Sequence, residues 1–129
     1  MKYTYSFILS LLFLTASLAQ ETNRPYSFEQ YSIDLGEITK GDKITDTFNL
    51  VNNSSEALEI ELVSSCECTS VRWPRKPIQP GEKAAIKFTF DSSIKEVEET
   101  IDIDVYFKNT DPKTGEAYFE ILNYTYRFK

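Results

Sequence analysis

The sequence predicts an all-β fold, a sandwich of about seven short strands. Three observations lead to this prediction. Apolar and polar residues alternate with the period of two that is typical of strands with one buried face. Aromatic residues, which favour sheets, are plentiful, with eight Tyr and nine Phe. Turn-forming residues separate the alternating segments, and no segment has the period of an amphipathic helix.

The first strand is predicted at residues 29–35 and the second after the turn at residues 40–42. Polar residues at positions 52–55 end the second strand, since Asn and Ser favour turns. The predicted inward residues are Tyr31, Ile33 and Leu35 in the first strand and Ile44, Phe48 and Leu50 in the second.

The next segment has the clearest alternation, with Leu58, Ile60 and Leu62 predicted inward and Glu59 and Glu61 outward. A short strand around residues 66–72 is expected to follow. The loop after it contains Pro74, Pro77 and the pair Pro80-Gly81, which interrupt strand pairing.

Three further segments complete the prediction. The last one changes parity, which predicts a bulge near Ile121 or Leu122. About seven strands in all are typical of an immunoglobulin-like sandwich. The residues that define the three segments are Ala84, Ile86, Phe88 and Phe90 in the first, Ile101, Ile103, Val105 and Phe107 in the second, and Phe119, Ile121, Leu122, Tyr124, Tyr126 and Phe128 in the third.

The N-terminus predicts export. Lys2 precedes an apolar run over residues 7–14, and Ser17-Leu18-Ala19 provides small residues for signal-peptidase cleavage. The run is too short to span a bilayer, which requires about 20 apolar residues. We therefore predict a signal peptide over residues 1–19 and one domain over residues 20–129, exported to the periplasm, the cell surface or the medium.

The charge balance argues against nucleic-acid or membrane-surface binding. The full chain has 14 basic and 20 acidic residues, and loss of Lys2 with the signal peptide leaves 13 against 20, a net charge of −7. Such a surface repels phosphate groups and anionic lipid. The chain also has no His, which removes the usual activating base of serine and cysteine nucleophiles.

Cys66 and Cys68, the only cysteines, are the sharpest chemical feature. Residues two apart in an extended strand have Cα atoms about 6.6 Å apart, so a disulfide between them would require a bend. Three interpretations stay open: packing or a structural bridge, a redox-active disulfide, and a copper or zinc site. The metal interpretation is the weakest, because only oxygen ligands are left to complete it once Met1 is removed.

The run Ser65-Cys66-Glu67-Cys68-Thr69 and the downstream Pro80-Gly81-Glu82 resemble the bacterial domain-of-unknown-function family 1573 over about residues 28–110. The resemblance implies an immunoglobulin-like domain of exported bacterial proteins and no established activity. The family usually has Gly between the cysteines. Glu67 tolerates positive φ poorly, so a tight glycine turn is not expected here.

Two other groups of residues suggest function. The pairs Asp102 with Asp104 and Glu59 with Glu61 could form a carboxylate-based hydrolase site, but each fits the solvated side of a strand better. A basic loop instead combines one aromatic with three cations and could bind an acidic protein or glycan. Its candidate residues are Arg72, Trp73, Arg75 and Lys76.

We therefore predict a non-enzymatic binding or assembly module of the bacterial envelope. The alternative is a thiol-redox or soft-metal protein that uses Cys66 and Cys68. The sequence gives no indication of the oligomeric state.

Overall fold

The computed structural model describes residues 23–129. The predicted signal peptide and its cleavage site lie outside this range. The described residues contain eight strands and one short 3-10 helix, Ser92–Ile94. The strands are β1 (Tyr26–Phe28), β2 (Ser32–Ile38), β3 (Lys43–Asn52), β4 (Ile60–Ser64), β5 (Thr69–Arg72), β6 (Lys83–Asp91), β7 (Thr100–Thr110) and β8 (Ala117–Phe128).

The strands form two four-stranded sheets that pack into an immunoglobulin-like sandwich. Sheet 1 has the order β1-β3-β6-β5 and sheet 2 the order β2-β8-β7-β4. All neighbours are antiparallel except β2 and β8, which run parallel. The predicted fold class is confirmed. The additional strand is β1, and the first predicted strand, residues 29–35, corresponds to β2, which begins three residues later.

Aromatic side chains from both sheets fill the core. Phe88 of β6 stacks on Tyr124 of β8 with ring centroids 4.8 Å apart. Phe48 of β3, the strand beside β6 in sheet 1, also stacks on Phe88 with ring centroids 5.5 Å apart. Tyr126 packs against Phe90 with ring centroids 4.6 Å apart and the ring planes tilted by 37°. The alternation predicted for β6 and β7 is confirmed, because Ile86, Phe88, Phe90, Ile101, Ile103, Val105 and Phe107 are all buried.

The inward residues predicted for β4 are partly wrong. Leu58 and Ile60 are buried, but Leu62 is 47 % exposed and Val63 takes the inward position at 3 %. The pairing with β7 shifts by one residue between Ile60 and Leu62. A bulge of this kind moves every later side chain to the opposite face, which simple alternation cannot anticipate.

The bulge predicted near Ile121 or Leu122 is also misplaced. The pairing of β8 with β7 is continuous there, with Ile121 opposite Asp104, and shifts only between Tyr106 and Thr110. Phe119 and Ile121 simply point outward, at 39 % and 48 % exposure. The apparent change of parity arose because apolar residues occupy both faces of this strand.

Tyr31, predicted inward, is likewise 44 % exposed, because it precedes β2 rather than lying within it. Within residues 23–129, we find no helix with the length and apolar character needed to cross a bilayer.

Candidate functional site

The two cysteines lie in the turn that connects the sheets, between β4 and β5. The Thr69 amide donates a 3.0 Å hydrogen bond to the Cys66 carbonyl oxygen, which closes the turn. The Cα atoms of Cys66 and Cys68 are therefore 5.2 Å apart, and their sulfur atoms are joined as a disulfide. This separation falls inside the range of about 4.4–6.8 Å that disulfides require. The backbone therefore has the bend that a disulfide between these cysteines requires. The strand predicted at residues 66–72 is shorter in the structure, where β5 begins only at Thr69.

Glu67 lies exposed at the tip of this turn. Among the described residues, positive φ values occur only at glycines, so the turn requires no left-handed conformation of Glu67. Glu67 therefore replaces the glycine that is usual in the family without the backbone strain that a positive φ would impose on Glu.

A buried pair of hydroxyl groups contacts both sulfur atoms. Thr69 Oγ1 lies 3.4 Å from Cys66 Sγ, 3.2 Å from Cys68 Sγ and 2.7 Å from the Tyr124 hydroxyl. Cys68 Sγ also lies 4.0 Å from the Tyr124 hydroxyl. Strand β8 of sheet 2 thus contributes the Tyr124 hydroxyl to the turn between β4 and β5.

Burial controls the chemistry of this pair. Tyr124 is completely buried, Cys68 is 3 % exposed and Thr69 is 8 % exposed. Burial raises the pKa of the Tyr124 hydroxyl to about 12, although the hydrogen bond with Thr69 acts in the opposite direction. The hydroxyl therefore stays protonated at physiological pH and is able to donate a hydrogen bond.

Tyr124 was predicted as a core residue, but its link to the cysteines was missed. The available signal is chemical: a buried Tyr requires a partner for its hydroxyl, whereas the Phe residues around it do not. The partner belongs to the other sheet, 55 residues away in sequence. Only the packing of the two sheets reveals it.

A metal centre is not assembled around the cysteines. Within residues 23–129, His, Cys, Asp and Glu side chains form no cluster of three or more that could hold a metal ion. A disulfide also lacks the thiolate ligands that copper and zinc bind. The copper or zinc alternative therefore rests on the sequence alone.

The predicted basic loop separates into two surfaces. Arg72 is the last residue of β5 and lies opposite Lys87 on the outer side of sheet 1. Trp73 turns the other way and packs partly buried against the core. The Arg75 guanidinium stacks on the Trp73 ring at 3.9 Å from its centroid. Trp73, Arg75 and Lys76 thus share one surface, which we call the Trp73 surface, with Arg72 on the adjoining face.

The Trp73 surface is anchored to the body of the sandwich. Ile78 pairs with Leu58 through two backbone hydrogen bonds of 2.7 and 2.9 Å. The fully buried Asn52 side chain donates to the carbonyl oxygens of Ile78 and Glu56 at 2.9 and 2.7 Å. A groove of about 440 Å³ runs beside this anchor, lined by Pro74, Arg75, Lys76, Pro77, Ile78, Glu82, Lys83 and Ala84.

The carboxylate pairs have the surroundings of solvated strand faces. Asp102 and Asp104 alternate along β7 with the buried Ile101, Ile103 and Val105. Among the described residues, neither aspartate belongs to a cluster of potential metal ligands. Asp102 and Asp104 therefore add nothing to the hydrolase interpretation beyond their sequence pattern.

The comparisons with known proteins agree with the resemblance read from the cysteine motif. Residues 26–121 match the family described as "Protein of unknown function (DUF1573)". The chain belongs to this family. The match is longer than the predicted range of about residues 28–110 and includes β1 and the first five residues of β8. None of the curated proteins matches this DUF1573 chain in sequence.

Solved structures share the fold at low identity. A protein of unknown function from Porphyromonas gingivalis W83 has a TM-score of 0.66 and 14 % identity over 79 % of this chain and 46 % of its own. The VesB protease of Vibrio cholerae has a TM-score of 0.64 and 16 % identity over 81 % of this chain and 32 % of its own. This DUF1573 chain therefore spans less than half the length of either.

The ASH / PapD-like domain 7 of human CEP192 is similar along most of its own length. Its TM-score is 0.61 with 10 % identity over 81 % of this chain and 85 % of that domain. At such identities the likeness concerns the fold alone, which the two-sheet sandwich shares with PapD-like domains.

Proposed function

We propose that this DUF1573 chain is a non-enzymatic binding module of the bacterial envelope and that it binds an acidic protein or glycan through the Trp73 surface. The observation that carries the proposal is a concentration of positive charge around an aromatic residue. Residues 72–87 contain five basic residues and one acidic residue, while the rest of the chain has nine basic against 19 acidic. Because like charges repel, this surface selects acidic partners and disfavours basic ones.

The side-chain arrangement supports a role in binding. Arg75 stacked on Trp73 presents a guanidinium whose position is fixed by its contact with the ring. Trp and Arg are the residues most often found at energetically important positions of protein interfaces. The stack holds both in place before a partner arrives, which lowers the entropic cost of binding.

The anchor of the loop supports the same conclusion. The Leu58 to Ile78 pairing and the Asn52 side chain connect the loop to the ends of β3 and β4. A partner would therefore meet a surface of fixed shape rather than a loop that must be ordered on binding. The groove beside Lys76 and Lys83 offers space for an extended acidic segment.

An envelope location is supported by two features. The apolar N-terminal run predicts export, and disulfides form and persist mainly in oxidising compartments. The module would then act in the periplasm, at the cell surface or in the medium.

The test is affinity capture from bacterial envelope extract by the mature chain. Trp73→Ala and Arg75→Ala are compared with the wild-type chain and with Lys108→Ala, which removes an exposed lysine of sheet 2. We expect a partner that the wild-type chain and the control retain, whose affinity falls at least about tenfold in both loop variants, equal to about 1.4 kcal/mol. Retention should also weaken with salt, since exposed charges are screened.

Trp73 offers a second measurement, because it is the only Trp of the chain. The captured partner, titrated into the wild-type chain, should change the intrinsic tryptophan fluorescence. The proposal is wrong if no captured partner depends on Trp73 or Arg75, or if the control variant loses the partner equally.

A further inference from the structure

We propose that the Cys66–Cys68 bridge is an exchangeable disulfide with a fixed polarity, in which an external dithiol attacks Cys66 and Cys68 is the leaving group stabilised by the Thr69 and Tyr124 hydroxyls. This activity is separate from binding at the Trp73 surface. The proposal starts from the unequal placement of the two cysteines. Cys66 is partly exposed, while Cys68 is 3 % exposed. The greater exposure of Cys66 favours it as the sulfur that an entering thiolate attacks, since access is one of the factors that decide this choice.

The direction of the hydrogen bonds supports the same polarity. A disulfide sulfur carries no hydrogen, so in the contacts with Thr69 the sulfur can only accept. If Thr69 donates to sulfur, its oxygen accepts the Tyr124 hydrogen at 2.7 Å. The two hydroxyls then form a chain that ends on Cys68, whose sulfur is 3.2 Å from Thr69 Oγ1 and also within 4.0 Å of the Tyr124 hydroxyl.

This chain supplies what a buried leaving group lacks. A thiolate that forms in an apolar core is destabilised by loss of hydration. A hydroxyl donor within reach of the sulfur offsets part of that cost, because a hydrogen bond to a charged acceptor is stronger than one to a neutral acceptor. Tyr124 keeps its proton throughout, since burial raises its pKa to about 12.

The exchange balances in two steps. The thiolate of an external dithiol forms a bond to Cys66 Sγ while the bond between Cys66 and Cys68 breaks, and the electron pair leaves on Cys68, which then takes a proton from solvent. The second thiolate of the reductant then attacks the reductant's other sulfur, which is bonded to Cys66 in the mixed disulfide. That bond breaks, the electron pair leaves on Cys66, and Cys66 takes the second proton from solvent. Two electrons and two protons pass to the chain, and the dithiol becomes a disulfide.

The first test identifies the attacked sulfur. The single variants Cys68→Ser and Cys66→Ser each leave one thiol, whose reaction with 5,5′-dithiobis(2-nitrobenzoate) is followed in the folded protein. We expect Cys66 in the first variant to react at least about tenfold faster than Cys68 in the second, and equal rates once the chains are unfolded. A faster reaction of Cys68 in the folded chain would overturn the proposed polarity.

The second test separates positioning from packing. Reduction of the wild-type disulfide by dithiothreitol is timed by alkylation and intact mass over a pH series, and compared with Thr69→Val and Thr69→Ser. Loss of the hydroxyl should slow reduction about tenfold at every pH, equal to about 1.4 kcal/mol, and the serine variant should restore the rate. A residue that only packs would have the opposite effect, because a looser fold exposes the bridge and speeds its reduction.

Tyr124→Phe provides the same comparison if Thr69→Val fails to fold. We expect a smaller decrease in the rate of reduction, because the Thr69 hydroxyl is still present as a donor. The proposal fails if both hydroxyl variants are reduced at the wild-type rate or faster. It also fails if the wild-type bridge resists dithiothreitol until the chain unfolds, which would make it a structural crosslink.

Discussion

Adjacent alanine substitutions in β4 test the bulge that reverses its inward and outward positions. Strict alternation predicts that Leu62→Ala is costly and Val63→Ala is mild. The structure predicts the reverse, because Leu62 is 47 % exposed and Val63 is 3 % exposed. The bulge between Ile60 and Leu62 is the cause of this reversal.

The magnitudes follow from burial. Leu62→Ala removes three carbons worth about 0.8 kcal/mol each when buried, but about half of their surface is in water already, so the expected loss is about 1 kcal/mol. Val63→Ala removes only two carbons, both fully buried, and leaves a cavity between the sheets. Transfer and cavity terms together give about 2 to 3 kcal/mol.

Urea denaturation of the two variants, followed by far-ultraviolet circular dichroism, measures both losses. Unchanged slopes would indicate that the variants differ in stability rather than in the denatured state. In thermal unfolding, Val63→Ala should lower the Tm by roughly 8 to 12 °C and Leu62→Ala by about 4 °C. A larger loss for Leu62→Ala than for Val63→Ala would refute the bulge.

Two further outcomes follow from buried polar groups. Asn52→Ala should lower the free energy of unfolding by about 2 to 3 kcal/mol in urea denaturation, since it removes the two hydrogen bonds that the buried Asn52 side chain donates to the Ile78 and Glu56 carbonyl oxygens; a loss below about 0.5 kcal/mol would contradict this role. Burial raises the pKa values of Tyr26 and Tyr124 to about 12, above the ordinary value of 10.0. The neutral forms are favoured in the folded state, so their contribution to stability is complete below pH 10 and is lost between about pH 10 and 12. Burial also raises the pKa values of Tyr118 and Tyr126. Ultraviolet titration should therefore show a group of tyrosines that ionises late and includes Tyr26 and Tyr124, and an ordinary titration of all described tyrosines would exclude the effect.

The fold class was accessible from the sequence because burial on a sheet depends mainly on alternation. Strands β6 and β7 have one apolar face and one polar face, so their inward residues were predicted correctly. Strands β4 and β8 were harder, because Leu62, Phe119 and Ile121 are apolar residues on the outer face. Hydrophobicity predicts which residues can be buried, but pairing register decides which of them are.

The candidate site was accessible only in part. The cysteine pair, its requirement for a bend and the Trp73 loop could all be identified from residue types and spacing. The division of the loop into two surfaces could not be identified in this way, because Arg72 is the last residue of a strand and points away from Trp73 and Arg75. The end of β5 at Arg72 agrees with the predicted segment of residues 66–72, but the packing of Trp73 against the core depends on tertiary contacts.

The sequence by itself determined the class of fold, the family and the two cysteines, because each depends on local pattern: period, motif and spacing. The tertiary structure decided what surrounds the disulfide. Thr69 follows the cysteines directly, but Tyr124 reaches them only because β8 of the opposite sheet lies across the core from β5. A contact between sheets depends on how eight strands are ordered and paired, which no segment of the chain specifies on its own.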